Sequence, residues 1–197
     1  KRLYADPDPR IRARALWLLG KIPGRGETYV RLALGDEDAD IRVTAIRLLR
    51  QLDLVPSAML AAVVDDPSPA VRREALVALR YDSSAVMPEL WARLAVQHDG
   101  QDRWYLEALG IAADVRPSDC YRALTKVSAS TAPHVMADLL WRLRAPEVVE
   151  PIVQLIADPQ TELTSTDRYF RALEYHPVET RSRWLKAAFL NEPVATS

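Results

Sequence analysis

Asp66-Pro-Ser-Pro-Ala-Val-Arg-Arg-Glu-Ala-Leu-Val-Ala-Leu79 is the third statement of one pattern. Asp6, Asp36 and Asp66 stand thirty residues apart, as do Arg12, Arg42 and Arg72, and Ala15, Ala45 and Ala75. The apolar positions keep the same step: Ile11, Ile41 and Val71; Leu16, Ile46 and Leu76; Leu19, Leu49 and Leu79. A fixed period of this length marks stacked repeats, in which each unit buries its apolar face against its neighbours.

Working outward, residues 8–22 read as a helix, with Ile11, Ala15, Leu18 and Ile22 on its inner side and Pro9 in its first turn. Pro23, Gly24 and Gly26 break it, and residues 27–34 form a shorter helix. Residues 41–52, 56–64 and 68–80 continue the alternation, with the acidic turn 36–40 at a helix N-terminus. Residues 84–96 are the next first-type helix. The stretch from Asp99 to Leu109 then matches Asp66 to Leu76 with an offset of 33, which puts Tyr105 in the arginine column. Helices at 118–127, 131–143, 146–157, 165–175 and 177–190 follow, with a kink or late start expected at Pro88 and Pro151.

The expected architecture is an all-α, right-handed α-solenoid of about 12 helices. It is a single unit over residues 1–190, with strong repeats over 6–113, degenerate ones over 114–190, and a frayed tail or linker at 191–197. Residues 8–22 match the second helix of a repeat, with only six residues or so ahead of them. The pattern therefore predicts a further helix upstream in the native protein, and predicts that Ile11, Leu16, Leu18 and Leu19 lack upstream cover.

Composition narrows the function classes. Twenty-six basic and 27 acidic residues give a formal net charge of −1, so no overall basic excess points to nucleic acid. The single cysteine, Cys120, excludes an intrachain disulfide and a thiolate metal cluster; it reads as a small buried hydrophobe. No apolar run reaches the roughly 18 residues of a membrane span. His98, His134 and His176 are isolated, so neither a metal site nor another cofactor is expected, and His98 reads as solvated.

The Asp-x-x-x-x-(Val/Ile)-Arg-x-x-Ala-(Leu/Ile) pattern at 6–16, 36–46 and 66–76 resembles HEAT repeats of the short bacterial type. The wording of residues 99–113, together with 167–173, resembles helical-repeat segments of large exported planctomycete proteins. That second resemblance implies a spacer between a dehydrogenase-like propeller and a cytochrome c module, in an exported or periplasmic setting. The chain itself has no Cys-x-x-Cys-His haem motif.

Asp6/Arg12, Asp36/Arg42 and Asp66/Arg72 recur in every strong repeat, which identifies a structural ladder rather than a catalytic pair. These pairs are expected to be exposed, and exposed pairs contribute roughly 0–1 kcal/mol each. Trp91, Trp104, Trp141 and Trp184 read as inter-repeat core. The HEAT resemblance implies that second helices line a concave face. On that face the outward stripe comprises Arg14, Trp17 and Lys21; Thr44, Arg47 and Gln51; Glu74, Val77 and Tyr81; and Glu107. This stripe is the candidate groove for a protein or peptide partner or a neighbouring domain, which makes the chain a non-enzymatic interaction or spacer module. The alternative is a HEAT-like DNA glycosylase or nucleic-acid-binding solenoid, with Arg14, Lys21 and Arg47 facing DNA; Glu74 and Glu107 oppose it.

Overall fold

The computed structural model describes residues 2–54 and 56–190. The tail expected at 191–197 lies outside them. A 3-10 turn at Arg2–Ala5 leads into twelve α-helices among the described residues, with no strand. They are α1 (Pro9–Gly20), α2 (Gly26–Leu34), α3 (Ala39–Gln51), α4 (Pro56–Leu60), α5 (Pro69–Leu79), α6 (Met87–Ala95), α7 (Arg103–Ala113), α8 (Pro117–Val127), α9 (Pro133–Arg142), α10 (Val149–Ala157), α11 (Leu163–Leu173) and α12 (Val178–Leu190). This is an all-α helical-repeat solenoid. The odd-numbered helices pack one on the next to form one layer; α2, α4, α6, α8, α10 and α12 back them.

Local chemistry starts the helices where it is expected to. Asp8, Asp38 and Asp102 are N-caps whose carboxylates accept the backbone N–H of Arg10 (2.9 Å), Asp40 (2.8 Å) and Tyr105 (3.0 Å). Pro9, Pro69, Pro117 and Pro133 open their helices, where the missing N–H has no intrahelical partner to lose. Pro88 falls in the first turn of α6, which starts at Met87 rather than 84. Pro151 likewise falls in the first turn of α10, which a 3-10 turn at Pro146–Val148 precedes. The helix expected at 56–64 is a single α turn, α4, followed by hydrogen-bonded turns. Asp82 fixes it from outside. This buried carboxylate accepts the Ser57 N–H at 2.6 Å and the Ser84 N–H at 2.8 Å.

The register of the repeat is cleaner in space than in sequence. The N-caps of the odd helices are Asp8, Asp38, Ser68, Asp102, Ala132 and Glu162. The step is therefore 30 residues throughout, except for 34 between Ser68 and Asp102. The sequence-derived offset of 33 is one short. Asp99 leads its N-cap by three residues where Asp66 leads by two, and Gly100, at φ +77°, accommodates the added residue. Tyr105 consequently takes the buried column of Val71, and Leu106 stands where Arg72 would.

Buried side chains from Leu16 on α1 to Leu173 on α11 form one apolar cluster. Each second helix reaches back to the preceding repeat. Leu48 is 1% exposed and lies over Gly20, where a Cβ would come within 2.6 Å of its Cδ2. Among the described residues only the 3-10 turn at Arg2–Ala5 precedes α1, and the equivalent Leu18, expected to lack upstream cover, is 65% exposed; Ile22, placed inward by its spacing, is exposed beyond the helix end. Leu16 is fully buried all the same; Ile11 and Leu19 are half-buried.

Candidate functional site

The Asp/Arg ladder is built from the turns. Asp6, Asp36 and Asp66 each accept the N–H two residues on, at 2.9, 3.0 and 2.9 Å, which closes the turn before the helix. Arg42 donates from Nη1 to the carbonyls of Asp36 and Glu37 in its own turn, at 2.8 and 3.0 Å. It also reaches the carboxylate of Asp66 in the next. Arg12 bridges to Asp36 at 3.2 Å and Asp38 at 3.5 Å. Arg72 donates to the carbonyls of Asp66 and Pro67, at 2.7 and 3.3 Å, but meets no next aspartate; its guanidinium faces the Tyr105 ring at 5.7 Å. These groups are not the exposed pairs expected from sequence: the side chains of Arg42 and Asp66 are only 11% and 5% accessible. Burial pushes the Asp66 carboxyl up, but the Arg42 and Ser68 hydrogen bonds and the charges of Arg42 and Arg72 outweigh it and hold it below the usual carboxylate value.

The free face of the odd helices carries one position that never buries fully. It lies nine residues beyond each N-cap and is occupied by Trp17, Arg47, Val77, Ile111, Trp141 and Arg171. Trp17, expected to point out, is half-buried and packs on the core. Arg14, Lys21 and Gln51 are exposed. Thr44 turns its hydroxyl back to the Asp40 carbonyl at 2.7 Å. Arg47 and Arg50 converge on Glu74 at 3.1 and 3.3 Å. Tyr81 lies beyond α5, exposed, with the Arg80 guanidinium 5.6 Å from its ring centre. Glu107 pairs with Arg142 at 3.1 Å; that arginine crosses α7 at Gly110, where any Cβ would overlap its guanidinium.

Hollows open along this face. One, of about 830 Å³, lies between α5 and α7; Val77, Trp104, Ala108 and Ile111 form its floor, and Arg73, Glu74, Arg103 and Glu107 its rim. Trp104 is 70% exposed, not a core residue as expected, whereas Trp91 is buried and Trp141 and Trp184 are partly so. The corrected register explains it: Trp104 follows Arg10, Asp40 and Ala70 in a column that faces outward. The second hollow, of about 400 Å³, lies between α7, α9 and α11 and holds Glu107, Trp141, Tyr175 and the arginines 103, 142, 144, 168 and 171.

Beside it, His98 is buried rather than solvated. Its ring lies parallel to Tyr105 at 6.0 Å, and neither nitrogen has a hydrogen bond. Asp99 and Asp138 stand just too far away, at 3.9 and 3.8 Å. His134 is exposed and His176 buried. Cys120 is fully buried, and burial pushes its thiol up to about 12, Arg116 and Asp119 pulling in opposite directions. Among the described residues no group of three or more histidines, cysteines or carboxylates could hold a metal ion, and no helix is long and apolar enough to cross a membrane.

A family model described as HEAT repeats matches residues 1–80. No curated protein and no solved structure matches the chain. The likeness of residues 99–113 and 167–173 to exported planctomycete proteins gains no support from these comparisons. The match ends where α5 ends, and it spans the three copies that carry both Asp and Arg of the ladder. Over residues 1–80 the chain is similar to HEAT repeats, a helical-repeat fold of the protein-interaction type.

Proposed function

We propose that the chain is a non-catalytic interaction module that holds an extended segment of a protein partner along the free face of its odd helices. The observation that carries this reading is Trp104, 70% exposed on an apolar floor shared with Val77, Ala108 and Ile111. A large aromatic left in water beside an open apolar floor is the composition of an interface anchor. The charged rim supplies arginines and carboxylates in equal number, which suits a peptide with polar groups beside an apolar anchor. A role as spacer between flanking domains is compatible with the same surface, because a neighbouring domain can supply the bound segment.

The test is display selection from a random dodecapeptide library on the folded chain. Recovered peptides should bind at least tenfold more weakly to Trp104→Ala and to Val77→Glu, with helicity retained. Failure to recover any peptide, or peptides indifferent to both substitutions, would sink the proposal. A second reading, nucleic-acid binding, draws on the arginines around Trp141. Duplex affinity below micromolar at 150 mM salt would favour it.

A further inference from the structure

The hollow between α7, α9 and α11 departs from the charge balance of the rest of the chain. Five arginines line it, against the single carboxylate of Glu107. Two of them are already engaged: Arg142 with Glu107 and Arg168 with Asp138. Arg103, Arg144 and Arg171 have no carboxylate partner among the described residues. Arg144 lies over the Tyr175 ring at 4.0 Å, and the Arg171 Nε reaches only the Asp167 carbonyl at 3.4 Å. Three exposed guanidinium groups with open donors therefore surround one space.

We propose that this hollow receives the side-chain carboxylates of an acidic stretch in the protein partner. The inference rests on the peptide-binding reading above and names the chemistry of the bound segment. Guanidinium forks match carboxylates in a planar, two-bond geometry, and an aromatic wall restricts the Arg144 fork to one plane. Arg103 and Glu107 line both hollows, so the two are adjacent. One extended segment can place an apolar side chain against Trp104 and its acidic residues between Arg144 and Arg171.

A carboxylate ligand fits better than a nucleic-acid backbone. Binding a phosphate chain at physiological salt relies on many neutralised charges. Here the open arginines occupy a single hollow of about 400 Å³. Along the same face stand Glu74, half-buried between Arg47 and Arg50, and Asp102, beside Arg73. These acidic groups engage Arg47, Arg50 and Arg73, so outside the hollow this part of the face offers a long polyanion few cations with open donors.

The dodecapeptide selection also tests this. Peptides recovered on the wild-type chain should carry aspartate and glutamate at several times their frequency in the starting library. Replacing those acids by the corresponding amides in a recovered peptide should weaken its binding at least tenfold. The exposed double variant Arg144→Glu with Arg171→Glu should lose the acidic preference and instead select lysine- and arginine-bearing peptides, with the Trp104 dependence intact. Trp104-dependent peptides without acidic enrichment would overturn this inference and leave the interaction module standing. Recovery of no peptide at all would overturn both. Tighter binding of a twelve-nucleotide oligothymidine than of the best peptide, at 150 mM salt, would replace the acidic segment with nucleic acid.

Discussion

Arg42 grips both carboxylate oxygens of Asp66 across 24 residues of chain, with Nε–Oδ2 at 2.7 Å and Nη2–Oδ1 at 2.8 Å. The contact joins two consecutive repeats at their turns, and its remaining donor holds the Asp36 and Glu37 carbonyls. Removing the arginine leaves a shielded carboxylate with the Ser68 N–H but no paired cation, and takes the Arg42 donor from two carbonyls. Arg42→Ala is expected to cost about 3–5 kcal/mol. Arg47→Ala, which breaks an exposed pair with Glu74, should cost no more than about 1 kcal/mol. Urea unfolding of the two variants checks the order; equal costs would return the ladder to the surface.

Acid should act through the same turns. Burial raises both the Asp66 and the Asp82 carboxyl, but the hydrogen bonds each accepts prevail and both lie below the usual carboxylate value. A depressed carboxyl stabilises the fold fully above its unfolded value, about 3.9 for aspartate. That contribution fades as the pH falls through the lower, folded value. Urea midpoints measured from pH 7 down to pH 2.5 should therefore decline mainly below about pH 4, and decline less steeply in Asp66→Asn and Asp82→Asn. A flat wild-type profile across that range contradicts the assignment.

One column gives a test of position against residue type. Leu48 is covered by Gly20 of the preceding repeat, and Leu18 has the same place on α1 but lies open. Leu48→Ala should cost about 2–5 kcal/mol, the lost burial plus a cavity. Leu18→Ala should stay within about 0.5 kcal/mol. Leu49→Ala and Leu79→Ala, both fully buried, belong with Leu48.

Gly110 and Arg142 should be coupled. In an Arg142→Ala background, Gly110→Ala should stabilise the chain by about 1 kcal/mol, the ordinary helix preference of alanine over glycine. With Arg142 present the gain should vanish, because the methyl displaces the guanidinium from Glu107. A double-mutant cycle measures the difference; additivity would mean that Arg142 moves aside without loss.

Cys120 should be inert. Its thiol is fully buried and pushed up to about 12, so almost no thiolate exists at pH 8. Labelling by a chromogenic disulfide reagent should be slow in the folded chain and fast in denaturant. Rapid labelling of the native protein would mean that α8 opens readily.

The helix count and most helix ends were legible because they rest on local chemistry: capping aspartates, opening prolines and apolar residues that recur every turn. The slip before α7 was legible only to within one residue, because Asp99 keeps the look of the ladder while Gly100 moves the helix start. That single residue hid Trp104, whose apolar character suggested the core and whose true column faces solvent. Exposure of Leu18 was legible from the missing repeat ahead of it, but shielding of Arg42 was not. It depends on what the neighbouring repeat places there, which a residue's own type does not state. The arginine hollow has no local motif either, since its members come from three helices and the segment after α9, spread from Arg103 to Arg171.

The position nine residues beyond each N-cap runs Trp17, Arg47, Val77, Ile111, Trp141, Arg171, one side chain per repeat in fixed order along the face. The columns that hold the repeats together lie at other positions on the same helices. In the proposed binding mode selectivity is therefore written largely apart from stability: a change at Arg47, Ile111 or Arg171 rewrites what one segment of a bound chain would meet, whereas Trp17, Val77 and Trp141 also pack on the core and share in the stacking. A scaffold arranged in this way can acquire a new partner by single substitutions, one repeat at a time.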